Sequence, residues 1–330
     1  LLTFFVQLPI SSSAQSETSY GSLTPLEAVP NTAEKVETGI LAMNLYNLDT
    51  SSNTYSLDFY AWFKWKGKID PTANLEYTNG VEDWGFTSVP AYEQPEKLPD
   101  GSFYQILRVE GRFVQPFALA RYPLDQQRLR IFLENSVYTA DQLVYVEDKT
   151  SSGFSEELSV PGWQIQGFSL ESLVRKYSTN FGDTRLETAN QYSTLLYSLV
   201  INRPVSFFIW KLLFPLIIVV VASWGALLLN PQQVDSRIIL PVTALLTTVF
   251  LQQSYSSALP DVGYLVLLDK IYAIAYFLIV ISILEAIITA DWISNSDSNS
   301  LKKVFQLDRA VLIIQAIVLV CGIGLLILLA

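Results

Sequence analysis

The chain has 330 residues, half of them hydrophobic, with a formal charge of −10 and a mean hydropathy of +0.31; that is too apolar for an ordinary soluble domain, so part of it belongs in lipid. It has no His and one Cys, Cys321, which excludes a Ser-His-Asp triad, a Cys-His pair, the usual His or Cys zinc sites and an intrachain disulfide. No Gly-rich run carries a nucleotide signature, so no cofactor, metal or enzyme chemistry is expected, and the acidic balance argues against nucleic acid.

Residues 1–15 open with LLTFFVQLPI and SSSA, a pattern that fits either the end of a secretory signal, with Ser12 and Ala14 at the small cleavage positions, or an N-terminal arm. Residues 16–203 read as an exported all-β domain. The alternation over 55–65 puts Tyr55, Leu57, Phe59, Ala61, Phe63 and Trp65 on an inner face. The outer face carries Ser56, Asp58, Tyr60, Trp62 and Lys64, and two large aromatics beside charges imply a site or an interface as readily as plain packing. Strand patterns recur at 104–113, 129–133, 163–177 and 192–201, divided by turns rich in Pro, Gly, Asp and Ser, which predicts a sandwich. Trp65 and Trp163 are expected in its core. The charged stretches 147–157 and 178–190 read as loops, where binding residues tend to sit.

At Asn202, Arg203 and Pro204 the β-domain meets an apolar segment with no flexible linker, an arrangement suited to transmitting displacement. Helices are predicted at about 205–229, 236–256, 264–290 and 310–330, each long enough to cross a hydrocarbon core of about 30 Å. Pro215 lies inside the first, and Trp210, Trp224 and Trp292 sit near segment ends as interface anchors would. The very short links make successive helices antiparallel neighbours. A short polar loop over 291–308 contains SNSDSNS; its Lys302 and Lys303, with Arg237 and Arg309, place this side in the cytoplasm and the β-domain outside.

The second apolar segment carries Asp235, Ile239, Thr243, Leu246, Phe250, Gln253 and Ser257 at helical spacing. Polar groups in a bilayer are costly unless they face protein or water, so this stripe predicts a pore-lining face. Asp235 also suits the N-terminal cap of that helix. Pro241 disturbs its local geometry.

The order of parts and several motifs resemble the pentameric ligand-gated ion channels, the Cys-loop receptor superfamily, over nearly the whole chain after about Val36. The most specific piece is Arg121-Tyr122-Pro123-Leu124-Asp125-Gln126-Gln127, similar to the family loop that touches the membrane domain. Gln115 and Leu129 stand where metazoan members carry half-cystines, as in a prokaryotic member. Trp65, Gly162-Trp163, Arg203, Pro215 and Leu259-Pro260 followed by Tyr264 match further family positions in order. The resemblance implies an extracellular ligand-binding β-sandwich followed by an all-α four-helix transmembrane domain, assembled with four further copies as a homopentamer around a central pore. It implies a cell membrane location, with a bacterial inner membrane favoured, and permeating monovalent cations.

By the same resemblance, Asp235 forms the selectivity ring, Leu246 and Phe250 the gate, and Asp49, Tyr122, Pro123, Asp125, Arg203, Leu259, Pro260 and Tyr264 the gating coupling. Thr50 is the alternative to Asp49. An agonist pocket between subunits would draw on Tyr60, Trp62, Trp84, Tyr104, Tyr138 and Phe181, where aromatics suit an amine; a proton stimulus acting on carboxylates stays open beside a small-molecule agonist. A receptor or adhesion protein that does not conduct would have no use for the polar stripe, and a membrane enzyme would need reactive groups the chain lacks.

Overall fold

The computed structural model describes residues 22–82, 85–183, 190–294 and 298–329; the 1–15 stretch and Trp84 lie outside them. Among these, the first half is all strand: β1 Ser22–Pro25, β2 Glu34–Asp49, β3 Thr54–Trp65, β4 Leu75–Tyr77, β5 Gly80–Val81, β6 Thr87–Pro90 and β7 Glu96–Lys97. There follow β8 Phe103–Val114, β9 Gln126–Asn135, β10 Leu143–Glu147, β11 Gly153–Phe154, β12 Gln164–Tyr177 and β13 Asn190–Asn202. One sheet runs β1-β12-β13-β9-β4 and the other β10-β2-β3-β8-β5, with β6 and β7 also on β8 and β11 on β2.

The sandwich closes because alternate residues of the central strands are apolar. On β3, Tyr55, Phe59, Ala61 and Phe63 are fully buried, with Leu57 and Trp65 nearly so. From the facing sheet, Leu129, Ile131 and Leu133 of β9 and Leu195, Tyr197 and Leu199 of β13 meet them. Tyr55 spends its hydroxyl on the Arg130 carbonyl at 2.6 Å, which meets the polar tip of an otherwise buried ring.

Four helices follow, each long and apolar enough to cross a membrane: α1 from Val205 to Leu228, α2 Val234–Ser256, α3 Leu267–Ser294 and α4 Ser298–Leu329. Pro215 has no N–H to return to the Lys211 carbonyl, and the turn just before it, Phe208–Leu213, is a π-helical one that takes up the mismatch. The helices run further than the hydropathy suggests. α4 begins at Ser298 rather than 310, so much of the expected 291–308 loop is helical. A polar composition lowers hydropathy but does not forbid a helix that packs one face. Trp224 departs from the expected interface role, because its Nε1 donates to Gln315 Oε1 at 2.5 Å inside the bundle.

Candidate functional site: the junction, the second helix and an aromatic cavity

The junction is built around Arg203, where β13 becomes α1. Its Nε donates to Asp125 Oδ1 at 3.1 Å, and its guanidinium lies between the rings of Trp163, at 4.1 Å, and Tyr122, at 5.0 Å. Asp125 is almost fully buried and also accepts from Gln127 Nε2 at 2.6 Å. A guanidinium between two aromatic faces, with a carboxylate in its plane, is a charge that binds by three routes while leaving little of itself in water.

The loop that supplies Tyr122 and Asp125 also completes a membrane helix. The first N–H groups of a helix have no intrahelical acceptor. Here Leu267 donates to the Ala120 carbonyl at 3.0 Å and Leu268 to the Tyr122 carbonyl at 3.2 Å. The β-domain therefore caps α3 with its own backbone. Tyr122 also stacks on Tyr255 of α2 at 6.3 Å, and the Tyr255 hydroxyl donates to Asp269 Oδ1 of α3 at 2.5 Å. Asp269 Oδ2 accepts from Val266 N–H at 3.0 Å and so caps the same helix. Pro123 follows Tyr122 in this loop through a cis peptide.

One expectation at the junction shifts by a residue. The Asp49 carboxylate accepts from Ser51 N–H and Oγ and from Ser52 Oγ within its own turn. Hydrogen bonding within that turn holds the Asp49 carboxyl below its usual range. It is Thr50, buried beside it, that reaches across, donating to the Ala258 carbonyl at 3.1 Å. Trp163, expected in the core, packs against it and also presents its ring face to Arg203. Leu259 packs against the core, whereas Tyr264 is exposed; both, with Pro260, line a cavity of about 470 Å³ at the α2–α3 connection.

On α2 the buried residues are Arg237, Pro241, Ala244, Thr248 and Tyr255. All seven residues of the polar stripe, Asp235, Ile239, Thr243, Leu246, Phe250, Gln253 and Ser257, are exposed on the isolated chain. Ile239, Leu246 and Phe250 stay 61%, 56% and 66% exposed. Pro241 lies on the buried face inside a continuous helix, so it leaves the exposed register undisturbed.

The basic count at the 237 end changes as well. Arg237 is 1% exposed; its Nη2 donates to Glu285 Oε2 at 3.0 Å and Asp308 Oδ1 at 2.5 Å, and its Nε donates to the Ala226 carbonyl at 3.1 Å. It is a buried partner, not a free surface charge.

The aromatics proposed for an agonist sit in separate places on one chain. Phe181 is 5.2 Å from Tyr177, which is 5.7 Å from Tyr192. These three line a cavity of about 640 Å³ together with Glu76, Glu134 and Arg175. Glu134 is buried, accepts from Tyr177 Oη at 3.0 Å and Thr194 Oγ1 at 2.8 Å, and pairs with Arg175 Nε at 2.5 Å. Burial pushes its carboxyl above the usual range, against the pull of Arg175.

Elsewhere, Tyr60 lies under the Arg108 guanidinium at 5.6 Å, and that Arg is bound to Asp58 at 2.9 Å. Trp62 lies across Gly39, where a Cβ would sit 2.2 Å from the indole, and donates to Asp148 at 3.1 Å. Tyr104 packs on Tyr92, and Tyr138 packs against the core. Tyr177, Tyr192 and Glu134 were missed by the sequence reading; their signal was period-two placement on β9, β12 and β13 beside Arg175.

A two-sheet domain whose loop carbonyls cap a membrane helix, with an Arg clamped at the single crossing point, defines a multi-pass membrane protein whose β-domain is bonded directly to its helices. Comparison with known proteins narrows this. No family model matches the chain. It is 27% identical over 189 residues to human gamma-aminobutyric acid receptor subunit rho-3, a match covering 57% of this chain and 38% of that subunit. It is 24% identical over 266 residues to the proton-gated ion channel of Gloeobacter violaceus, covering 76% of this chain and 71% of that protein. A gamma-aminobutyric acid receptor beta subunit of Lymnaea stagnalis is 27% identical over 187 residues. The chain thus spans less than half the length of the receptor subunits it matches. These similarities are to subunits of ligand-gated channels of the pentameric Cys-loop superfamily.

Proposed function

We propose that the chain is one subunit of a homopentameric, ligand-gated, cation-selective channel whose pore is lined by the exposed face of α2. The observation that carries this is the division of α2 into a buried face and an exposed polar and apolar stripe. A lone helix in lipid has no use for exposed Asp235, Thr243, Gln253 and Ser257 on one line. Around a five-fold axis that line faces water. Asp235, in the first turn, then makes a ring of carboxylates at the cytoplasmic mouth, which attracts cations and repels anions. Leu246 and Phe250 form apolar rings above it, able to stop conduction by dewetting.

The stimulus acts on the β-domain, and the aromatic cavity with Glu134 and Glu76 suits a cationic amine. The neighbouring subunit would contribute Tyr60 and Trp62, which lie on the other sheet. The junction around Arg203 carries the displacement to α2 and α3. Protons are a second stimulus, favoured by the raised titration of buried Glu134 and by the similarity to a proton-gated relative.

The test is electrical recording from the purified protein in bilayers under a salt gradient. Asp235→Ala is expected to move the reversal potential away from the cation value and Asp235→Lys to move it further. An unchanged reversal potential in both variants sinks the assignment of the ring.

A further inference from the structure

The buried group of Arg237, Glu285 and Asp308 joins α2, α3 and α4 beside the end of the helix that carries Asp235. Both carboxylates sit on one nitrogen, Nη2, at 3.0 and 2.5 Å, so the two bound oxygens lie within about 5.5 Å of each other. All three side chains are 5% exposed or less. Arg237 Nη1, Glu285 Oε1 and Asp308 Oδ2 are buried and have no hydrogen-bond partner among the described residues. A buried ion cluster with unmet polar atoms is a poor device for stability, since apolar side chains of similar volume commonly do as well or better. Its use lies elsewhere.

Position says where. Arg237 follows Asp235 by two residues, which turns it about 200° round the helix at roughly 100° per residue. It lies in the first turn of α2, roughly 4.5 Å above the first residue at about 1.5 Å rise per residue. An Arg side chain is longer than that, so an unheld guanidinium in this turn extends to water at the helix end, as long basic side chains near membrane helix ends do. There it would stand beside the Asp235 carboxylates and cancel them charge for charge.

We infer that Glu285 and Asp308 are selectivity-positioning residues: by holding the Arg237 guanidinium inside the subunit they keep a positive charge out of the cytoplasmic mouth, and they make the peripheral helix α4 a determinant of ion choice. This rests on the channel reading above. Counted with both carboxyls ionised, Asp235 and the locked cluster together contribute −2 per subunit. Either single neutralisation leaves −1, and removing both carboxylates leaves none. Adding Arg237→Met to the double change returns the mouth to the charge of Asp235 alone. The ordering of cation preference is therefore wild type, then single variants and the triple variant, then the double variant.

The experiment uses the full chain with Glu285→Gln, Asp308→Asn, the double variant, and the double variant carrying Arg237→Met. Reversal potential in a KCl gradient and thermal melting of the detergent-solubilised oligomer are read together. Expected is a graded loss of cation preference in the singles, loss of all preference in the double variant with a lowered melting temperature, and recovery of both in the triple. A double variant that melts early yet keeps the wild-type reversal potential overturns the proposal, because a merely structural cluster behaves that way. Should the double variant fail to assemble, the singles decide by shifting or not shifting the reversal potential. If the wild type itself shows no cation preference, what fails is the reading of Asp235 as a cation-selective ring, an outcome distinct from a wild type that prefers cations while the double variant keeps that preference.

Discussion

Replacing Asp125 by Ala removes the one carboxylate that binds Arg203 among the described residues and tests how the two domains are held. The pair is buried, with side-chain exposures of 13% for Arg203 and 1% for Asp125. Deleting one partner of such a pair costs about 3–5 kcal/mol, mostly because the remaining charge is left uncompensated. For a folded unit of this size 1 kcal/mol corresponds to about 2–4 °C, so the melting temperature is expected to fall by about 6–20 °C. Arg203→Ala removes the same pair and also the contacts with Trp163 and Tyr122, each ring face worth about 0.5–2 kcal/mol; its loss is at least as large. The double variant leaves no unpaired charge, so its loss is expected to be smaller than that of Arg203→Ala alone. The assay is thermal unfolding of the detergent-solubilised protein at fixed protein concentration, since assembly links stability to concentration. If the two single losses add to within about 0.5 kcal/mol, the residues do not act as a pair and the reasoning fails.

Leu246→Ala and Phe250→Ala each remove an exposed apolar side chain from α2, and channels carrying either are expected to open at lower stimulus or leak without it; an unaltered closed state in bilayer recordings counts against the gate. Thr50→Val keeps shape but removes the hydroxyl bound to the Ala258 carbonyl, so it is expected to shift the stimulus dependence while Asp49→Asn does so less; equal effects would return Asp49 to the contact. Glu134 supplies a pH test whose sign follows from its raised titration. The folded site binds a proton more readily than the ordinary carboxyl of the unfolded chain, so its contribution to stability falls as pH rises above the usual glutamate range. A cationic amine needs the ionised form, so its affinity, read by calorimetry, is expected to fall as pH drops through that same region. Glu134→Gln should flatten that dependence, and a dependence that persists unchanged assigns it to another group.

Much of this architecture is written in periodicity. The inner face of β3 was legible because side chains of a strand alternate, and the stripe on α2 because every third or fourth residue shares a helix face. The Arg121 to Gln127 motif located the loop that caps α3. Pairings between distant elements were not legible. Arg237 reads as one more basic residue at a helix end until its partners, 48 and 71 positions away, are brought to it. Trp163 reads as core because most large aromatics are, and only the crossing point of β13 and α1 sets Arg203 over its face. The choice between Asp49 and Thr50 did have a local signal. An Asp followed by Ser two and three residues on commonly bonds its own turn, which leaves the next side chain free to reach the membrane domain. The early start of α4 was hidden because the SNSDSNS run looks like linker by composition alone.

The contacts also explain why one helix can answer to two different surroundings. At its upper end α2 is held by Tyr255, which stacks on Tyr122 of the β-domain and bonds Asp269 of the helix that the same loop caps. At its lower end it is held by Arg237, which reaches the peripheral helix through Asp308 and α3 through Glu285. Between these pins the residues facing away from the bundle, from Ile239 to Phe250, are exposed on the isolated chain. Interfaces of this packed and hydrogen-bonded kind hold one arrangement or another rather than bending continuously. A displacement of the loop at Tyr122 must therefore be taken up by the upper pin, through Tyr255 and the first turn of α3. A change at the outer surface of α4 must enter through the lower one, next to the residue proposed to choose the ion.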